Sequence, residues 1–246
     1  MKNVLIFGAT SAIASQTAKL FASQGYKIAL AARDLKKIES VSNDILTEYP
    51  NTKLYSFIFN ALEYSSHKDI LYNANEEMGG IDIILIAHGT LPIQEEIKND
   101  FEEIRKEFES NALSVFSLAT SSAEYFEKRL SGTLVVISSV AGDRGRQSNY
   151  IYGSAKGAVS IFMQGLRNRL YKSGINVITV KPGFVDTPMT SHIPKNFLFA
   201  SASDIAKGIL NAIDNKKDVV YLPGFWKVIM IVIKSIPESI FKRLNL

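Results

Sequence analysis

Three side chains in one stretch of the chain have types and spacing suited to moving a proton. Tyr152 and Lys156 are four residues apart, and Ser139 precedes Tyr152 by thirteen residues at the end of an apolar run. If Tyr152 begins a helix, the two residues share a face, and the ammonium should lower the pKa of the phenol. Such a tyrosine can exchange a proton with a carbonyl or alcohol oxygen, which the Ser139 hydroxyl can also bind. The pattern predicts acid–base chemistry at a carbon–oxygen centre.

The spacing of the tyrosine and the lysine is not informative alone, because it recurs at Tyr49–Lys53 and Tyr64–Lys68. The alternative to a catalytic role is a solvated pair on a helix surface. Neither of the other two pairs has a serine thirteen residues before its tyrosine. The preceding strand and Ser139 therefore distinguish Tyr152 and Lys156.

Short apolar segments of strand length recur along the chain and alternate with stretches of helical spacing. They are nearly continuous in hydrophobicity, as strands buried on both faces are. This alternation predicts an α/β fold: a Rossmann-like, doubly wound, seven-stranded parallel sheet in a single domain, residues 1–246, with a helical tail at 225–246. The predicted strands are residues 3–7, 27–32, 53–59, 81–87, 133–138, 176–180 and 218–222. Residues 187–203 are predicted to form a lid or long loop.

Composition restricts the class of protein. A chain of 246 residues without cysteine has no disulfide or thiolate metal site, which favours a reducing, cytoplasmic location, and no metal site is predicted. The apolar run before Gly8 is only four residues long, and no run approaches eighteen apolar residues, so we expect neither a signal peptide nor a membrane span. The net charge of +4 is too small to indicate binding of nucleic acid.

The N-terminal segment VLIFGATSAIASQTAKLFA predicts a strand, a tight turn at Gly8 and a helix from about Ala12. Exposed amides and the positive dipole at the start of that helix suit a pyrophosphate. A dinucleotide turn also needs small residues where backbone meets ligand, which Gly8, Ala12 and Ala14 provide. The alternative is a strand, turn and helix that bind no ligand.

The residue after the second strand indicates which dinucleotide is bound. An acid at this position contacts the ribose hydroxyls of NAD, whereas an arginine accommodates the additional phosphate of NADP. Arg33 therefore favours NADP(H). The alternative is a solvated arginine beside Asp34, whose carboxylate would itself reach the ribose, so NAD(H) stays open.

Six segments in this order resemble the motifs of the short-chain dehydrogenase/reductase family. They are GATSAIA, AHG at 87–89, NALSVF from 111, ISSVAG at 137–142, YGSAK at 152–156 and KPGFVDTPM from 181. The resemblance covers nearly the whole chain. It implies an NAD(P)-dependent enzyme that reduces a ketone to a secondary alcohol, and a homo-oligomer that pairs through the helices holding Asn111 and Tyr152.

The resemblance implies a role for each matching residue. Ser139 would orient the substrate carbonyl, Tyr152 would act as the general acid, and Asn111 would hold a water that relays protons to Lys156. Lys156 would lower the Tyr152 pKa and bind the nicotinamide ribose. The implied cofactor-binding residues are Gly8, Thr10, Ser11, Ala12, Ile13, Ala14, Arg33, Asn60, Ala61, Ala87, His88, Gly89, Tyr152, Lys156, Pro182, Gly183, Val185 and Thr187.

The sequence departs from the family pattern in three places. The usual Asn-Asn-Ala-Gly is Ile-Ala-His-Gly, and His88 either touches ribose or substrate or has a packing or surface role. Asn60 and Ala61 replace the Asp and small apolar residue that commonly hold the adenine. Ala12 and Ala14 are the third departure.

Two arginines lie between the proposed serine and tyrosine. Arg144 and Arg146 would bind an anionic substrate, such as a phosphate, through bidentate guanidinium contacts. The alternative is that they are solubilising loop residues with Asp143 as a partner.

The C-terminal tail, residues 225–246, is both apolar and basic. Apolar residues recur at 226, 229, 233, 236, 240 and 244. From residue 226 onward the tail contains four cationic residues and one acidic residue, which gives it a net charge of +3. The segment SIPE at 235–238 resembles a capping box that restarts a helix. We expect the tail to pack on the sheet or on a second subunit, or to lie in a membrane interface.

The segments SSVAGDRGRQSNYIYGSAKG and VIMIVIKSIPESIFKRL are similar to one group within the family, the reductases of the decaprenylphosphoryl-ribose 2-epimerase system. This closer resemblance implies a polyprenyl-phosphate-linked 2-keto-sugar as substrate, a partner flavin oxidase that produces it, and NADH, whereas Arg33 favours NADPH. The alternatives are reduction of another ketone, such as a 3-oxoacyl thioester, and a nucleotide-binding module without catalysis.

Overall fold

A seven-stranded parallel sheet forms the centre of the protein. The computed structural model describes residues 2–191 and 193–245, so residue 192 of the predicted lid lies outside it. The strands are β1 Asn3–Phe7, β2 Lys27–Ala32, β3 Leu54–Ile58, β4 Ile83–Ile86, β5 Thr133–Ile137, β6 Asn176–Pro182, β7 Val185–Asp186, β8 Ala200–Ser201 and β9 Val219–Leu222. The sheet order is β3-β2-β1-β4-β5-β6-β9, and β7 pairs separately with β8. Every pairing is parallel, as predicted.

Helices cover both faces of this sheet. They are α1 Ala12–Ser23, α2 Leu35–Glu48, α3 His67–Met78, α4 Gln94–Ile97, α5 Phe101–Phe108, α6 Ser114–Arg129, α7 Tyr150–Leu170, α8 Ala202–Asp214, α9 Phe225–Ser235 and α10 Glu238–Phe241. One core cluster joins the sheet to α3, α6 and α7, and the other joins it to α1, α2 and α8. The predicted doubly wound Rossmann-like fold is confirmed.

Strand β1 shows why the strands could be recognised. All five of its residues are buried. Successive side chains of a strand point to opposite faces, and Leu5 and Phe7 join one core cluster while Val4 and Ile6 join the other. Burial on both faces requires a continuous apolar run, and parallel pairing places the carboxyl ends of the strands at one edge. The residues selected from the sequence follow these ends.

The tail folds back on the protein through one face of α9. Trp226 and Met230 are buried, whereas Val228, Ile231 and Val232 are 64%, 59% and 57% exposed. No helix among the described residues is both long and apolar enough to cross a bilayer. The tail therefore packs on its own subunit and leaves an apolar face uncovered.

The predicted capping box in the tail is wrong, although a helix does restart there. The Ser235 hydroxyl donates backwards to the Val232 carbonyl at 2.8 Å, and α10 begins after Pro237 without a side-chain cap. Proline lacks an N–H and tolerates the first positions of a helix, so it starts α10 without help from Ser235.

Candidate active site

The end of β5 and the beginning of α7 bring Ser139, Tyr152 and Lys156 together. The Ser138 hydroxyl donates to the backbone carbonyl of Lys156 at 2.9 Å, which ties the strand end to the helix. On α7, Lys156 Nζ lies 5.8 Å from the centre of the Tyr152 ring. The structure therefore assembles the three side chains whose spacing suggested proton chemistry.

The pKa of Tyr152 differs from the sequence-based expectation. Burial raises it to about 12, because the phenolate loses its hydration. The hydrogen bond with Ser139 acts in the opposite direction, and the negative charge of Glu107 raises the pKa further. In the protein alone this pKa therefore lies above its ordinary value, and the lowering expected from Lys156 stays a prediction. Tyr152 consequently keeps its proton at neutral pH.

Lys156 is one of the few buried cations of the described chain. The residue is 3% exposed, and Nζ donates to the Ile137 carbonyl at 3.2 Å. Burial lowers its pKa from 10.5 to about 8, because the ammonium is poorly hydrated there. The ammonium form dominates at neutral pH, but it loses its proton at a pH well below that at which an exposed lysine does.

This buried lysine makes stability depend on pH. Its folded pKa lies below its unfolded value, so between the two the unfolded chain binds more protons and stability rises with pH. From pH 7.5 to 9.5, the free energy of unfolding should rise by about 2 kcal/mol relative to Lys156→Met. Urea unfolding at the two pH values measures this difference. Parallel pH profiles of the wild type and Lys156→Met would refute it, and Lys36→Met on the exposed face of α2 is the control.

Asn111 sits in a π-helical turn, Glu109–Leu113, that joins α5 to α6. The residue is fully buried. Its Nδ2 donates to Thr90 Oγ1 at 2.9 Å and to Glu107 Oε2 at 2.9 Å, and its Oδ1 accepts from the Thr90 amide at 3.1 Å. Turns of this type occur frequently at functional sites, because they re-aim one side chain inside a helix.

Gly89 lies close to the side chains of both Asn111 and Lys156. A Cβ atom on Gly89 would lie 2.8 Å from Asn111 Oδ1 and 3.3 Å from Lys156 Nζ. Only glycine leaves room for these two groups to face the end of β4. Sequence reasoning found Asn111 but missed Glu107 and Thr90. The available signal was that Glu107 lies one helical turn before Asn111.

The N-terminal turn has the geometry that a dinucleotide phosphate needs. Gly8 has φ of +77°, and a Cβ there would lie 2.5 Å from the backbone nitrogen of His88. Helix α1 begins at Ala12 as predicted, with Ser11 Oγ accepting from the Ala14 amide at 3.3 Å. The amides of a helix N-terminus bind anions, so this turn fits a pyrophosphate.

Arg33 follows β2 at the same edge and is exposed. Asp34, the competing ribose ligand, is the N-cap of α2, and its Oδ1 accepts from the Lys37 amide at 3.2 Å. The cap engages the Asp34 carboxylate and leaves the Arg33 guanidinium facing solvent. This arrangement suits an additional phosphate better than a bare ribose.

His88 and Asn60 follow β4 and β3. Burial lowers the pKa of His88 to about 3, so the imidazole is neutral, and its Nε2 lies 2.7 Å from Ser114 Oγ. Its ring packs on Phe59 with centroids 5.3 Å apart. The Asn60 amide oxygen accepts from the Leu62 N–H at 3.2 Å. His88 packs against Phe59 and bonds Ser114 in the described chain, and its contact with ribose or substrate stays a prediction.

The end of β6 and the segment that follows it lie at the same edge of the sheet. They contain Pro182, Gly183, Val185 and Thr187. Trp226 from α9 covers this segment, with its ring 5.5 Å from that of Phe184. Sequence reasoning missed Trp226 as a neighbour of the site, because its apolar spacing indicated only a tail helix.

Lys181, Asp143 and Tyr221 form a buried network beside the site. The side chains of Lys181 and Asp143 form an ion pair and are 8% and 2% exposed. Tyr221 donates to Asp143 Oδ2 at 2.6 Å, and burial together with this bond raises the Tyr221 pKa. The network fastens the turn after Ser139 to β6 and β9. Pairing of Asp143 with the loop arginines was the alternative to their substrate-binding role, and the structure pairs Asp143 with Lys181 instead.

Arg144 binds the tail, which corrects its predicted role as a substrate clamp. Its Nη1 donates to the carbonyls of Ile233 at 2.7 Å and Ile236 at 2.6 Å, and Nη2 bonds Glu238 Oε2 at 3.0 Å. The guanidinium also lies 3.7 Å from the centre of the Phe241 ring. Most of its donors are engaged, because the end of α9 has carbonyls without helical partners.

Arg146 differs from its neighbour. Its Nε is buried and has no hydrogen-bond partner among the described residues. Burial lowers the pKa of Arg146, and the charge of Asp143 acts in the opposite direction. Arg146 is thus the loop arginine that keeps capacity for a ligand.

Comparison with known proteins gives a family for this chain. Residues 2–197 match the model described as short chain dehydrogenase. An uncharacterised oxidoreductase of Streptomyces coelicolor is 28% identical over 244 residues, which cover 99% of this chain and 96% of that protein. The name of this relative gives an oxidoreductase class and no substrate.

Solved structures agree on the fold. A short-chain dehydrogenase from Sphingobium yanoikuyae in complex with NADPH has a TM-score of 0.81 and 22% identity over 97% of this chain and 98% of its own. A single-substitution variant of actinorhodin polyketide ketoreductase with NADPH has a TM-score of 0.81 and 19% identity over 91% of this chain and 96% of its own. At these identities the likeness concerns architecture alone.

Proposed function

The chain belongs to the short-chain dehydrogenase/reductase family of oxidoreductases, and on this premise we propose that it reduces a ketone to a secondary alcohol with NADP(H). The observation that carries the proposal is the convergence of four side chains at the carboxyl edge of the sheet. They are Ser139, Tyr152, Lys156 and Asn111, and the phosphate turn at Gly8 opens on the same edge.

Each residue has a distinct task in the proposed reaction. The Ser139 hydroxyl hydrogen-bonds the ketone oxygen and orients it. Tyr152 gives its proton to that oxygen, and its high pKa ensures that the proton is present at neutral pH. The Lys156 ammonium stabilises the phenolate that results, and Asn111 holds a water through which the proton is restored.

The residues at the sheet edge fit a nicotinamide dinucleotide. The turn at Gly8 and the start of α1 would hold the pyrophosphate, and Arg33 would hold the 2′-phosphate. When bound, this cofactor supplies the hydride for the ketone carbon. The NADPH in the solved Sphingobium dehydrogenase supports the same preference here.

Arg33 gives the cofactor preference a direct test. A charge-assisted hydrogen bond to phosphate contributes about 1.5–3 kcal/mol, so Arg33→Gln should reduce the ratio of NADPH to NADH affinity by roughly 10- to 100-fold. Affinities are measured by the fluorescence of bound NADPH and NADH. Lys36→Gln, an exposed cation at the start of the following helix, is the matched control. An unchanged ratio of NADPH to NADH affinity in Arg33→Gln would show that another residue sets the cofactor preference.

For the substrate we propose a polyprenyl-phosphate-linked 2-keto-sugar, delivered by a partner flavin oxidase. The apolar, basic tail and the loop arginine beside it support an amphiphilic, anionic substrate. Oxidation of NADPH with this ketone, generated in situ by a flavin oxidase, tests the proposal. Turnover of a 3-oxoacyl thioester without turnover of the keto-sugar would select the alternative substrate class.

We further propose that the uncovered face of α9 contacts membranes, since Ile231 and Val232 are exposed among basic residues. The protein should sediment with vesicles containing phosphatidylglycerol. Ile231→Glu combined with Val232→Glu should abolish this, because carboxylates oppose both insertion and the anionic surface. Tyr72→Glu, at a side chain 62% exposed on α3, is the control. Wild-type protein that stays in the supernatant would refute the proposal.

We also propose that the protein is a homo-oligomer paired through α6 and α7. Ile161 on α7 is 71% exposed and Leu113, just before α6, is 42% exposed. Light scattering that gives a monomer mass would remove this proposal without affecting the chemistry.

A further inference from the structure

A pocket opens between the loop that joins Ser139 to Tyr152 and the C-terminal tail. It has a volume of about 140 Å³, several times what one water needs. We name it the tail pocket, and it is lined by Arg146, Gln147, Glu238, Phe241, Lys242 and Leu244. Its wall is fixed, because Arg144 binds the tail carbonyls and Phe241 beneath it.

The charges of the tail pocket favour an anion. Arg146 and Lys242 are cations, and the one lining acid, Glu238, is already ion-paired with Arg144 at 3.0 Å. Asp143, the acid nearest Arg146 along the chain, is engaged by the lysine of the buried network. In the described ranges, neither cation of the pocket has a carboxylate within ion-pair distance.

One donor in this pocket lacks a partner. Nε of Arg146 has almost no accessible surface and no acceptor in the part of the chain that the structure describes. A buried donor without an acceptor is costly, and guanidinium binds phosphate oxygens in a planar, bidentate way. A phosphate held by the Arg146 guanidinium would bring an acceptor close to this donor.

The remaining lining is apolar. Phe241 is 9% exposed and Leu244 is 39% exposed, so the pocket joins its cations to a hydrophobic wall. A free inorganic anion would gain nothing from that wall, whereas an alkyl or prenyl phosphate matches both parts.

We infer that the tail pocket binds the phosphate of an amphiphilic phosphate ester, with Arg146 and Lys242 as its ligands. The inference deepens the proposed ketone reduction and rests on it for the identity of the substrate. The phosphate comes either from the ketone substrate or from a membrane lipid. Arg146 lies on the loop that joins Ser139 to Tyr152, so a substrate held here is held between the two catalytic side chains.

The test is calorimetric binding of geranyl phosphate to the full chain, with geraniol as the uncharged comparison. Arg146→Gln should weaken binding at least tenfold and Lys242→Gln severalfold. Arg243→Gln, an exposed arginine outside the pocket, should leave it unchanged. Because Lys242 is exposed, its variant remains informative even if Arg146→Gln fails to fold. Equal binding in all variants, or geraniol binding as tightly as its phosphate, would overturn the inference.

A second experiment separates the two sources of phosphate. If the substrate supplies it, Arg146→Gln should raise KM at least tenfold for a phosphate-bearing ketone and leave KM unchanged for a small neutral ketone. If a lipid supplies it, both KM values stay unchanged and sedimentation with phosphatidylglycerol vesicles decreases. No change in either measurement overturns the inference. Failure to reduce any ketone while geranyl phosphate binds would instead refute the proposed reductase function.

Discussion

Tyr152→Phe is expected to lower kcat/KM for ketone reduction by about 10³-fold, within the range that general acid catalysis contributes. The substitution removes one hydroxyl from a half-buried ring of α7 and keeps its volume. The Ser139 contact and the proton donor are lost together, whereas the phosphate turn at Gly8 is untouched. Steady-state oxidation of NADPH at pH 7 measures the effect.

Tyr150→Phe is the matched control for this prediction. Tyr150 lies two residues earlier on α7, and its side chain is 43% exposed. Its loss should change kcat/KM by less than twofold, and NADPH should bind both variants with the affinity of the wild type. Retention of more than a tenth of the activity in Tyr152→Phe would show that another group donates the proton.

Asp143→Ala is expected to reduce the free energy of unfolding by about 3–5 kcal/mol, because it leaves a buried ammonium without its counter-ion. Lys181 is 7% exposed and would lie beside the Tyr221 hydroxyl without a carboxylate partner. The turn after Ser139 would also lose its attachment to β6. Urea unfolding followed by circular dichroism measures the loss, and ketone reduction should fall with it.

Two further variants test whether the large loss of stability comes from burial of the Asp143–Lys181 ion pair. Asp186→Ala removes the partner of Lys195 in an exposed pair, with side chains 49% and 59% accessible, and should cost about 0–1 kcal/mol. Replacing both buried partners, Lys181→Met with Asp143→Leu, should recover most of the stability lost in Asp143→Ala, since no charge is left unpaired. A loss below 1 kcal/mol in Asp143→Ala would show that water reaches the network.

The elements of the fold were predictable where burial forces a pattern on the sequence. The seven strands of the main sheet were found within two residues at each end, because burial on both faces requires continuous apolar runs. The short strands β7 and β8 were not predicted, and β8 lies within the predicted lid or loop. Helix α7, which the chemistry of Tyr152 and Lys156 required, begins two residues before Tyr152. Gly8 was found because its turn has a backbone conformation that few other residues adopt.

Contacts between distant segments were not predictable. Asp143 meets Lys181 and Tyr221 across 38 and 78 residues, and Arg144 meets Ile236 across 92. Charge type and local spacing contain no information about such pairs. The sequence therefore suggested that Arg144 binds substrate, whereas in the structure it binds the C-terminal tail.

The high pKa of Tyr152 in the protein alone was not predictable for a related reason. A sequence shows that Lys156 is near the phenol but does not show how deeply both groups are buried. Loss of hydration raises the pKa of the phenol and lowers the pKa of the ammonium. Both shifts favour the neutral form of the side chain. Only the packing around α7 reveals this.

The most direct test of the proposed reductase uses NADPH deuterated at C4 of the nicotinamide, in each of its two stereoisomers, with a ketone that the protein turns over. The protein should yield an alcohol with one deuterium on the carbinol carbon from one stereoisomer and none from the other, and Tyr152→Phe should yield little product from either. NADPH that binds without deuterium reaching any ketone in the panel would contradict the proposal.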